Sequence, residues 1–564
     1  MKDILIFFIF FFIFFPSLIF GQQIQKITFF KNSSFPLVAY FIQGDNPGPT
    51  IMVQGGIQGD EICGVLTAEQ LLKLHVKKGN LIVVPRANVL AIMNRKRGLN
   101  VDLNRRFDQY YNTLFEDYLA NAIKLLASLS DGIIHLHEGS GFYSPIYIDY
   151  LKNPKRYGQS FIIDTAKYRN IDLEKIVKEV KDELNVYIHN HKFKFTIFNT
   201  NTLSPHTKYA EQKKSFTYYV LTKLHRPAFA IEVSKDIKNI KWKVQIQLKA
   251  VTLLLKKLGI IVENHNNIKI ALIKNLPTSC KIYINGNDVT NISQITIYDI
   301  AEIKAYYDKQ TIKKEQIGIF IKGIPWLNLL KSNYIIPNRK WTQLYLSIDG
   351  TILKKWSLKY EKQIKTDSNR ELFVCSLNNK LMVIPQNSSI IAYEGDKLIL
   401  YGTLTGTNNN VINVKGYISR AGLNQGQDIY SEVILDKRFF IKRYIKEVLQ
   451  TGVWICEVCK DDGPTENPGF NIIVAPPITP TITIKDNKHI FVLDSLKKLI
   501  LPEGSYLIDF YDDISKDSNT ILIMENKVIS LPTKIHIQKG KTVSIKMVNT
   551  DLATITHVFE ISGK

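Results

Sequence analysis

The amino-acid sequence predicts an α/β domain over residues 24–262, followed by β-rich domains. Up to about residue 262, short runs rich in Val and Ile alternate with segments of helical periodicity. Beyond that point the helical periodicity nearly disappears, and β-branched runs are separated by Asn, Gly and Pro. The chain of 564 residues is too long for one hydrophobic core, and 45% hydrophobic with 22% charged residues is typical of folded domains.

The amino terminus carries the longest apolar run, over residues 4–20. It follows a Lys and precedes the small residue Gly21, which predicts a signal peptide over residues 1–21. The run is long for a signal peptide, so an uncleaved membrane anchor is the alternative. Either interpretation predicts an exported protein.

The α/β domain is predicted from short buried strands and longer amphipathic helices. The predicted strands cover residues 50–54, 81–85, 132–137 and 227–233, and the clearest helices cover residues 173–184 and 240–258. Ligands of open α/β sheets bind beyond the carboxyl ends of the strands. Glu61, His137 and Glu232 fall at or beside such ends.

The remaining sequence predicts three β regions. Residues 263–370 predict a small β domain, and residues 371–475 predict a sandwich whose turn spacing is typical of an immunoglobulin-like fold. Residues 476–564 begin with a Pro-rich linker and predict a further β domain of unknown role.

The net charge of +22 comes largely from Lys residues scattered through the chain. Without a compact Arg-rich block or a basic and aromatic stripe, nucleic acid is not a predicted partner. An anionic partner and a merely solvated Lys-rich surface are the two alternatives. The five cysteines are too few for a disulfide framework. Cys456 and Cys459 are expected on opposite faces of a strand, without a metal or redox role.

A glycine-rich corner, Gly55-Gly56-Ile57-Gln58-Gly59-Asp60-Glu61, follows the first of the predicted strands. Its paired glycines allow a sharp turn, and the sequence predicts that a helix opens there. Gln58 and Glu61 are expected to project from one side of that incipient helix, where both can meet one cation. Because a catalytic zinc usually has three protein ligands and a water, a third ligand is expected elsewhere.

Four further motifs lie at or beside predicted strand ends: Arg97, Asp102-Leu103-Asn104-Arg105, His135-Leu136-His137-Glu138-Gly139 and Phe229-Ala230-Ile231-Glu232-Val233. His137 is favoured as the third ligand, because it lies next to the Glu-Gly pair at the strand end. His135, on the same strand face, is the competing candidate.

Each motif taken alone has a plainer interpretation. A Glu at a helix amino terminus is favoured by the helix dipole without any metal. A single His is more often a buried, hydrogen-bonded residue than a ligand, and Glu232 by itself fits a surface carboxylate on an edge strand. The conjunction of the motifs favours a metal site.

The order and type of these motifs resemble the zinc carboxypeptidase superfamily, whose hallmark is a His-x-x-Glu pair, an Arg, an Asn-Arg pair, a distant His and a late Glu. Gln58 departs from this pattern, because it stands where the family has its first His. A Gln-x-x-Glu pair with a His resembles the cell-shape-determining D,L-carboxypeptidases of curved and helical bacteria. The loop at residues 136–142 is similar to that branch as well.

The resemblance implies a carboxypeptidase-like mixed sheet with helices on both faces. The implied roles are Zn²⁺ ligation by Gln58, Glu61 and His137, oxyanion stabilisation by Arg97, binding of the terminal carboxylate by Asn104 and Arg105, and general-base catalysis by Glu232. The Tyr that closes over substrate in many family members has no secure match, and Tyr218 and Tyr219 are candidates by sequence proximity only.

The expected function is therefore that of a periplasmic zinc D,L-carboxypeptidase, which trims a peptidoglycan tripeptide to a dipeptide and contributes to cell shape. An aspartoacylase-like amidohydrolase, which shares the Asp-Leu-Asn-Arg motif, is one alternative. A non-catalytic scaffold that binds the cell wall is the other. The expected partners are the muropeptide substrate and, through the β domains, cell-shape proteins; the membrane is the partner under the alternative of an amino-terminal anchor.

Overall fold

The computed structural model describes residues 22–564 with internal gaps, so the predicted signal peptide lies outside the described residues. The gaps are residues 32, 112–113, 264–269, 271–272, 274, 298–300, 336–340, 362–370, 405–410, 419–427, 450, 462–465, 477–480, 487–488, 496–497, 511–519 and 551–552. No helix in the described part of the chain is long and apolar enough to cross a membrane.

A nine-stranded mixed sheet forms the centre of the α/β domain. Its strands are β1 (Ile24–Phe29), β2 (Leu37–Gln43), β3 (Asn46–Gln54), β4 (His75–Val84), β5 (Gly132–His137), β6 (Ser160–Ile163), β7 (Thr196–Asn199), β8 (Ala228–Glu232) and β9 (Ile261–Glu263). The spatial order is β1-β2-β4-β3-β5-β8-β6-β7, and β9 pairs with β4. Strands β4, β3, β5 and β8 run parallel, so their carboxyl ends share one edge of the sheet.

Six α-helices accompany this sheet. They are α1 (Ile62–Leu71), α2 (Val89–Met93), α3 (Phe115–Ser128), α4 (Leu173–Val186), α5 (Phe216–Tyr219) and α6 (Ile240–Lys257). The side chain of Asp172 caps α4 and that of Asn239 caps α6, each by accepting a first-turn N–H. Shorter elements are the 3₁₀ turns Leu103–Arg105, His191–Phe193 and Ala210–Lys214, the π-helical turn Val220–Leu224, and the strand pairs Phe142–Tyr143 with Lys152–Asn153 and Lys167–Tyr168 with Ile171–Asp172.

These elements confirm the predicted α/β class and both predicted helices. The expectation that Gln58 and Glu61 share one side of an incipient helix is wrong. Helix α1 begins only at Ile62, Glu61 is its N-cap, and residues 55–61 form a non-helical turn. The glycines of this corner allow backbone conformations that a helix does not use, which delays the helix start.

The β-rich part of the chain consists of paired sheets. The small β region contains Lys281–Ile284, Asn287–Asp288, Ala301–Tyr306 and Tyr334–Ile335 in one sheet, Gln294–Ile297, Ile317–Ile321, Gln343–Ile348 and Thr351–Tyr360 in another, and helix α7 (Leu329–Ser332).

The next region contains Leu372–Leu377, Lys380–Pro385, Lys397–Thr403 and Glu432–Ile434 in one sheet, and Ser389–Tyr393, Val411–Val414, Lys446–Glu447, Trp454–Asp461 and Glu466–Ala475 in the other. The short 3₁₀ turns Lys437–Phe439 and Lys442–Tyr444 belong to it. Its immunoglobulin-like character stays a prediction. Cys456 and Cys459 are buried free thiols here, and a β-bulge between Val458 and Cys459 interrupts the simple strand alternation on which the opposite-face expectation depended.

The C-terminal region contains Thr481–Lys485, Ile490–Asp494, Gly504–Phe510 and Thr533–Ile537 in one sheet, and Lys498–Leu501, Thr520–Met524, Lys527–Ile529, Thr542–Asn549 and Thr554–Gly563 in the other. A hydrophobic cluster that includes Ile482, Ile508 and Phe559 fills the space between these strands.

The small β region is held against the α/β domain by a turn at Asp349 and Gly350. Buried Arg86 donates to the carboxylates of both Glu69 and Asp349. Arg95 Nε donates to the Asp349 carbonyl oxygen at 2.6 Å. This turn therefore braces the segment that leads from α2 to Arg97.

Candidate metal and catalytic site

The glycine-rich corner is a tight turn packed against α2. Gly56 has φ of +68°, a left-handed conformation that favours glycine. A Cβ on Gly59 would lie 2.0 Å from the carbonyl atoms of Ala91, and Gly59 N donates to Lys96 O at 2.9 Å. The corner and the segment before Arg97 are thus fixed to each other.

Glu61 and His137 meet in a buried contact. Glu61 Oε2 accepts hydrogen bonds from His137 Nδ1 at 2.8 Å and from Glu138 N at 3.2 Å. On the other side of the ring, His137 Nε2 lies 3.2 Å from His135 Nδ1. Burial lowers the pKa of His137, but the Glu61 and Glu232 carboxylates together more than offset this, and the net shift is upward. His137 therefore faces Glu61, and His135 lies behind it as a second layer.

Gln58 is oriented by Asp102. Its Nε2 donates to both Asp102 carboxylate oxygens at 3.1 Å. Since an ionised carboxylate only accepts hydrogen bonds, this contact fixes the amide and directs Oε1 away from Asp102. Arg97 Nε and Nη2 reach the same carboxylate at 2.9 Å. Burial raises the pKa of Asp102, but Arg97 and Gln58 outweigh it and the net shift is downward, so Asp102 stays ionised.

Glu232 lies beside His137. The two residues are register partners in the parallel pair of β5 and β8, so their side chains share one face. Glu232 Oε2 is buried and has no hydrogen-bond partner among the described residues. Burial raises the pKa of Glu232 to about 8; His137 lowers it and Glu61 raises it further. The edge-strand interpretation of Glu232 is wrong, because β8 lies between β5 and β6.

Asn104 and Arg105 lie on the 3₁₀ turn that Asp102 caps. Asp102 Oδ1 accepts from Asn104 N at 3.0 Å. Asn104 is buried, and its Oδ1 accepts from Phe216 N at 3.0 Å, which commits the acceptor end of the amide to the protein and leaves Nδ2 as the donor end. Arg105 Nη1 donates to Asn104 O at 2.8 Å. The turn thus presents an amide and a guanidinium together.

Sequence reasoning missed Asp102 as a site residue, although it stands in the quoted Asp-Leu-Asn-Arg motif. Lys235 was missed as well. Its Nζ pairs with Asp60 Oδ2 at 2.5 Å and lies 3.6 Å from Glu61 Oε1. The signal in the sequence that could have identified Lys235 is its position three residues after Glu232.

The two Tyr candidates lie on α5. Tyr218 has its pKa raised by burial and by nearby Asp164 and Tyr168, while the Tyr219 ring lies 6.4 Å from that of Phe107. The closing Tyr stays unassigned.

The donor set fits a zinc ion. It consists of a neutral amide oxygen, a carboxylate and an imidazole nitrogen, and each donor has an outer partner: Asp102 for Gln58, Glu138 N for Glu61 and His135 for His137. No group of three or more His, Cys, Asp or Glu with metal-binding geometry lies within the described residues. The set of Gln58, Glu61 and His137 contains only two residues of those types, because its third donor is a Gln.

Comparisons with known proteins bear on this site. Residues 30–276 match the family model described as the catalytic domain of the carboxypeptidase controlling helical cell shape. This match confirms the predicted resemblance over the α/β domain. The domain therefore resembles the catalytic domain of a peptidase. No curated protein matches the chain.

Among solved structures, the tripeptide-bound cell shape determinant Csd4 from Helicobacter pylori is 20% identical, with a TM-score of 0.41; the match covers 81% of this chain and 100% of that one. The mDAP-bound form of Helicobacter pylori Csd4, described as a D,L-carboxypeptidase, is 22% identical, with a TM-score of 0.40 and coverages of 76% and 96%. A succinylglutamate desuccinylase/aspartoacylase from Rhodobacter sphaeroides is 17% identical, with a TM-score of 0.30 and coverages of 43% and 66%.

Proposed function

We propose that the protein is a periplasmic, zinc-dependent D,L-carboxypeptidase, which removes the carboxy-terminal diaminopimelate from a peptidoglycan tripeptide, leaves a dipeptide and so contributes to cell shape. The observation that carries this proposal is the buried contact of Glu61 with His137 directly beside Glu232. The family match over residues 30–276 supports the same reaction class.

The metal would be held by Gln58 Oε1, Glu61 and His137 Nδ1, which would release the proton that it donates to Glu61 in the metal-free protein. When bound, zinc supplies a Lewis acid that lowers the pKa of a coordinated water and polarises a carbonyl. Hydrogen bonds within the protein orient these donor atoms in the absence of metal. Asp102 turns the Gln58 oxygen away from itself, and His135 supports the far side of the His137 ring.

Glu232 is the proposed general base. Its buried Oε2 lacks a hydrogen-bond partner among the described residues, and burial raises its pKa, so its carboxylate binds a proton more strongly than an exposed one. A carboxylate with such a pKa can accept a proton from a nucleophilic water and return it to the leaving amine. Glycine is favoured at position 139, because a Cβ there would lie 2.5 Å from Gly158 Cα as well as 2.6 Å from Glu232 Oε2.

The proposed substrate contacts come from the segment between Arg97 and Arg105. Arg97 is half exposed and paired with Asp102, and this anchored positive charge would stabilise the developing oxyanion. Arg105 and the Asn104 amide would bind the terminal carboxylate of the peptide, since guanidinium groups recognise carboxylates in bidentate geometry. Recognition of a free carboxylate makes the enzyme an exopeptidase.

The proposal is tested with the purified protein lacking residues 1–21. Zinc content is measured, and muropeptides are analysed by mass spectrometry before and after incubation. We expect about one zinc per chain and conversion of tripeptide to dipeptide. His137→Ala should lose the zinc, whereas His135→Ala should still bind zinc at saturating metal. Binding of wall fragments without trimming would replace the enzyme by the scaffold alternative.

A further inference from the structure

Helix α6 carries a polar face that is buried against the site. Lys243 and Gln247 lie one turn apart on this helix, and the two residues are only 5% and 0% exposed. A helix packed on a sheet normally buries apolar residues, and a buried polar group is costly unless it is hydrogen-bonded. These two side chains therefore require specific partners.

Gln247 uses both ends of its amide. Nε2 donates to the carbonyl oxygens of His137 at 2.9 Å and Ile231 at 3.1 Å. Oε1 accepts from Thr67 Oγ1 at 2.8 Å and from the Cys63 thiol at 3.4 Å. Both N–H groups of Nε2 and both lone pairs of Oε1 therefore have a hydrogen-bond partner, which fixes the orientation of the amide.

The four partners belong to the three elements that carry the site. His137 ends β5 and is a proposed zinc ligand. Ile231 lies next to Glu232 at the end of β8, and Thr67 lies on α1, which directly follows Glu61. One side chain thus joins β5 and α1, which carry or directly follow the proposed ligands His137 and Glu61, to the strand that carries the proposed base.

A second contact from the same helix face supports this arrangement. Lys243 pairs with the buried carboxylate of Glu138, and Glu138 Oε2 accepts from Cys63 N at 3.1 Å in the first turn of α1. The carboxylate thereby satisfies a helix donor that otherwise lacks a partner and interacts favourably with the helix dipole. Helix α6 is linked to β5 and α1 through both residues.

We propose that Gln247 is a positioning residue that sets the distance and angle between the metal ligands and Glu232. This inference rests on the proposed function for its chemical consequence, but its structural part is independent of any metal. Gln247 has no hydrogen bond to the turn of Asn104 and Arg105 among the described contacts, so it should affect the metal and turnover more than the affinity for substrate.

The test compares Gln247→Met with Gln245→Met. Met has nearly the length of Gln but donates no hydrogen bond, and Gln245 is exposed on the same helix, which makes it the matched control. We expect zinc affinity, measured by chelator competition, to fall about 10- to 100-fold in Gln247→Met, as for other outer-shell partners of a metal site. The visible spectrum of the Co²⁺-substituted protein should change, and kcat should fall while KM changes little.

Amide hydrogen exchange in the metal-free protein reports on the structural role of Gln247 independently of zinc. Val233 N donates to His137 O across the two strands that Gln247 joins, so this amide should exchange faster in Gln247→Met than in the control. Unchanged exchange, zinc affinity and spectrum would overturn the inference. If the wild-type protein bound no zinc while exchange still responded, the proposed function would fail and the positioning role would stand.

A milder variant covers the case in which Gln247→Met does not fold. Thr67→Val keeps the shape of the side chain and removes one hydrogen bond to Gln247 Oε1, whereas Thr67→Ser keeps the hydroxyl. We expect Thr67→Val to shift zinc affinity and exchange in the same direction by a smaller factor, and Thr67→Ser to restore wild-type values. Identical behaviour of the two variants would contradict the proposal.

Discussion

Replacing Asp349 by Ala removes the ionic contact between the small β region and Arg86 of the α/β domain. The Asp349 carboxylate pairs with Arg86 and accepts from Gln316 Nε2 at 3.0 Å. The Arg86 side chain is 4% exposed, so its charge depends on protein partners instead of water. The substitution therefore leaves a buried guanidinium with Glu69 as its remaining carboxylate partner.

The expected cost follows from this burial. Removing one partner of a buried ion pair costs about 3–5 kcal/mol, because the other charge is left incompletely compensated. Since Glu69 continues to pair with Arg86, we expect the lower end, about 3 kcal/mol. That free energy corresponds to an increase of about 100-fold in local opening of the contact, at 1.4 kcal/mol for each factor of ten.

Native-state hydrogen exchange is the suitable assay, because a chain with several domains does not unfold in one two-state transition. Peptides that cover residues 86–97 and 343–360 should exchange faster in Asp349→Ala. Asp308→Ala is the control, since Asp308 lies in the same region and its carboxylate, within the described part of the chain, accepts from Gln310 N and Thr311 Oγ1 of its own exposed turn. Equal exchange in the two variants would refute the argument that this ion pair holds the regions together.

Three further outcomes are expected. Burial raises the pKa of Asp164 to about 6, so the folded state binds this proton more tightly than the unfolded chain; the contribution of this one group to stability should be fully present below about pH 4 and fall by about 3 kcal/mol as the pH rises past 6. Asp164→Asn should remove that dependence in native-state hydrogen exchange of peptides that cover residues 160–202, and exposed Asp182→Asn should not. Arg105→Ala should raise KM for tripeptide and reduce the preference over a peptide with an amidated terminus, as steady-state kinetics would show. Gln58→His should bind zinc more tightly in chelator competition, because imidazole is the stronger donor and its second nitrogen can still donate to Asp102; unchanged affinity would remove Gln58 from the ligand set.

The strands and the position of the site at their ends could be predicted, because both depend on the local pattern of apolar and polar residues. Buried strands such as residues 132–137 show in their apolar runs, and polar residues at their ends indicate a site. The choice of His137 over His135 is supported by register, since His137 and not His135 is paired with Glu232. Zinc ligation by these residues stays a proposal.

The supporting contacts could not be predicted, because they depend on residues far apart in the sequence. Lys243 and Gln247 have the polar character expected of a solvent-facing helix surface, and only the packing of α6 on α1 and β5 shows that they are buried. The contact of Asp349 with Arg86 joins two regions of the chain and leaves no local signal. The helix start after Glu61 was misplaced because the turn geometry of Gly56 and Gly59 depends on contacts with α2.

The most direct test of the central claim is the turnover of zinc-loaded Glu232→Gln on peptidoglycan tripeptide, followed by mass spectrometry. The variant keeps the size of the side chain and leaves the proposed ligands and the Arg105 turn intact. We predict that it binds zinc and tripeptide like the wild-type protein and trims tripeptide about 10²- to 10⁴-fold more slowly, because the general base is lost. Trimming at a near-normal rate by Glu232→Gln would contradict the account.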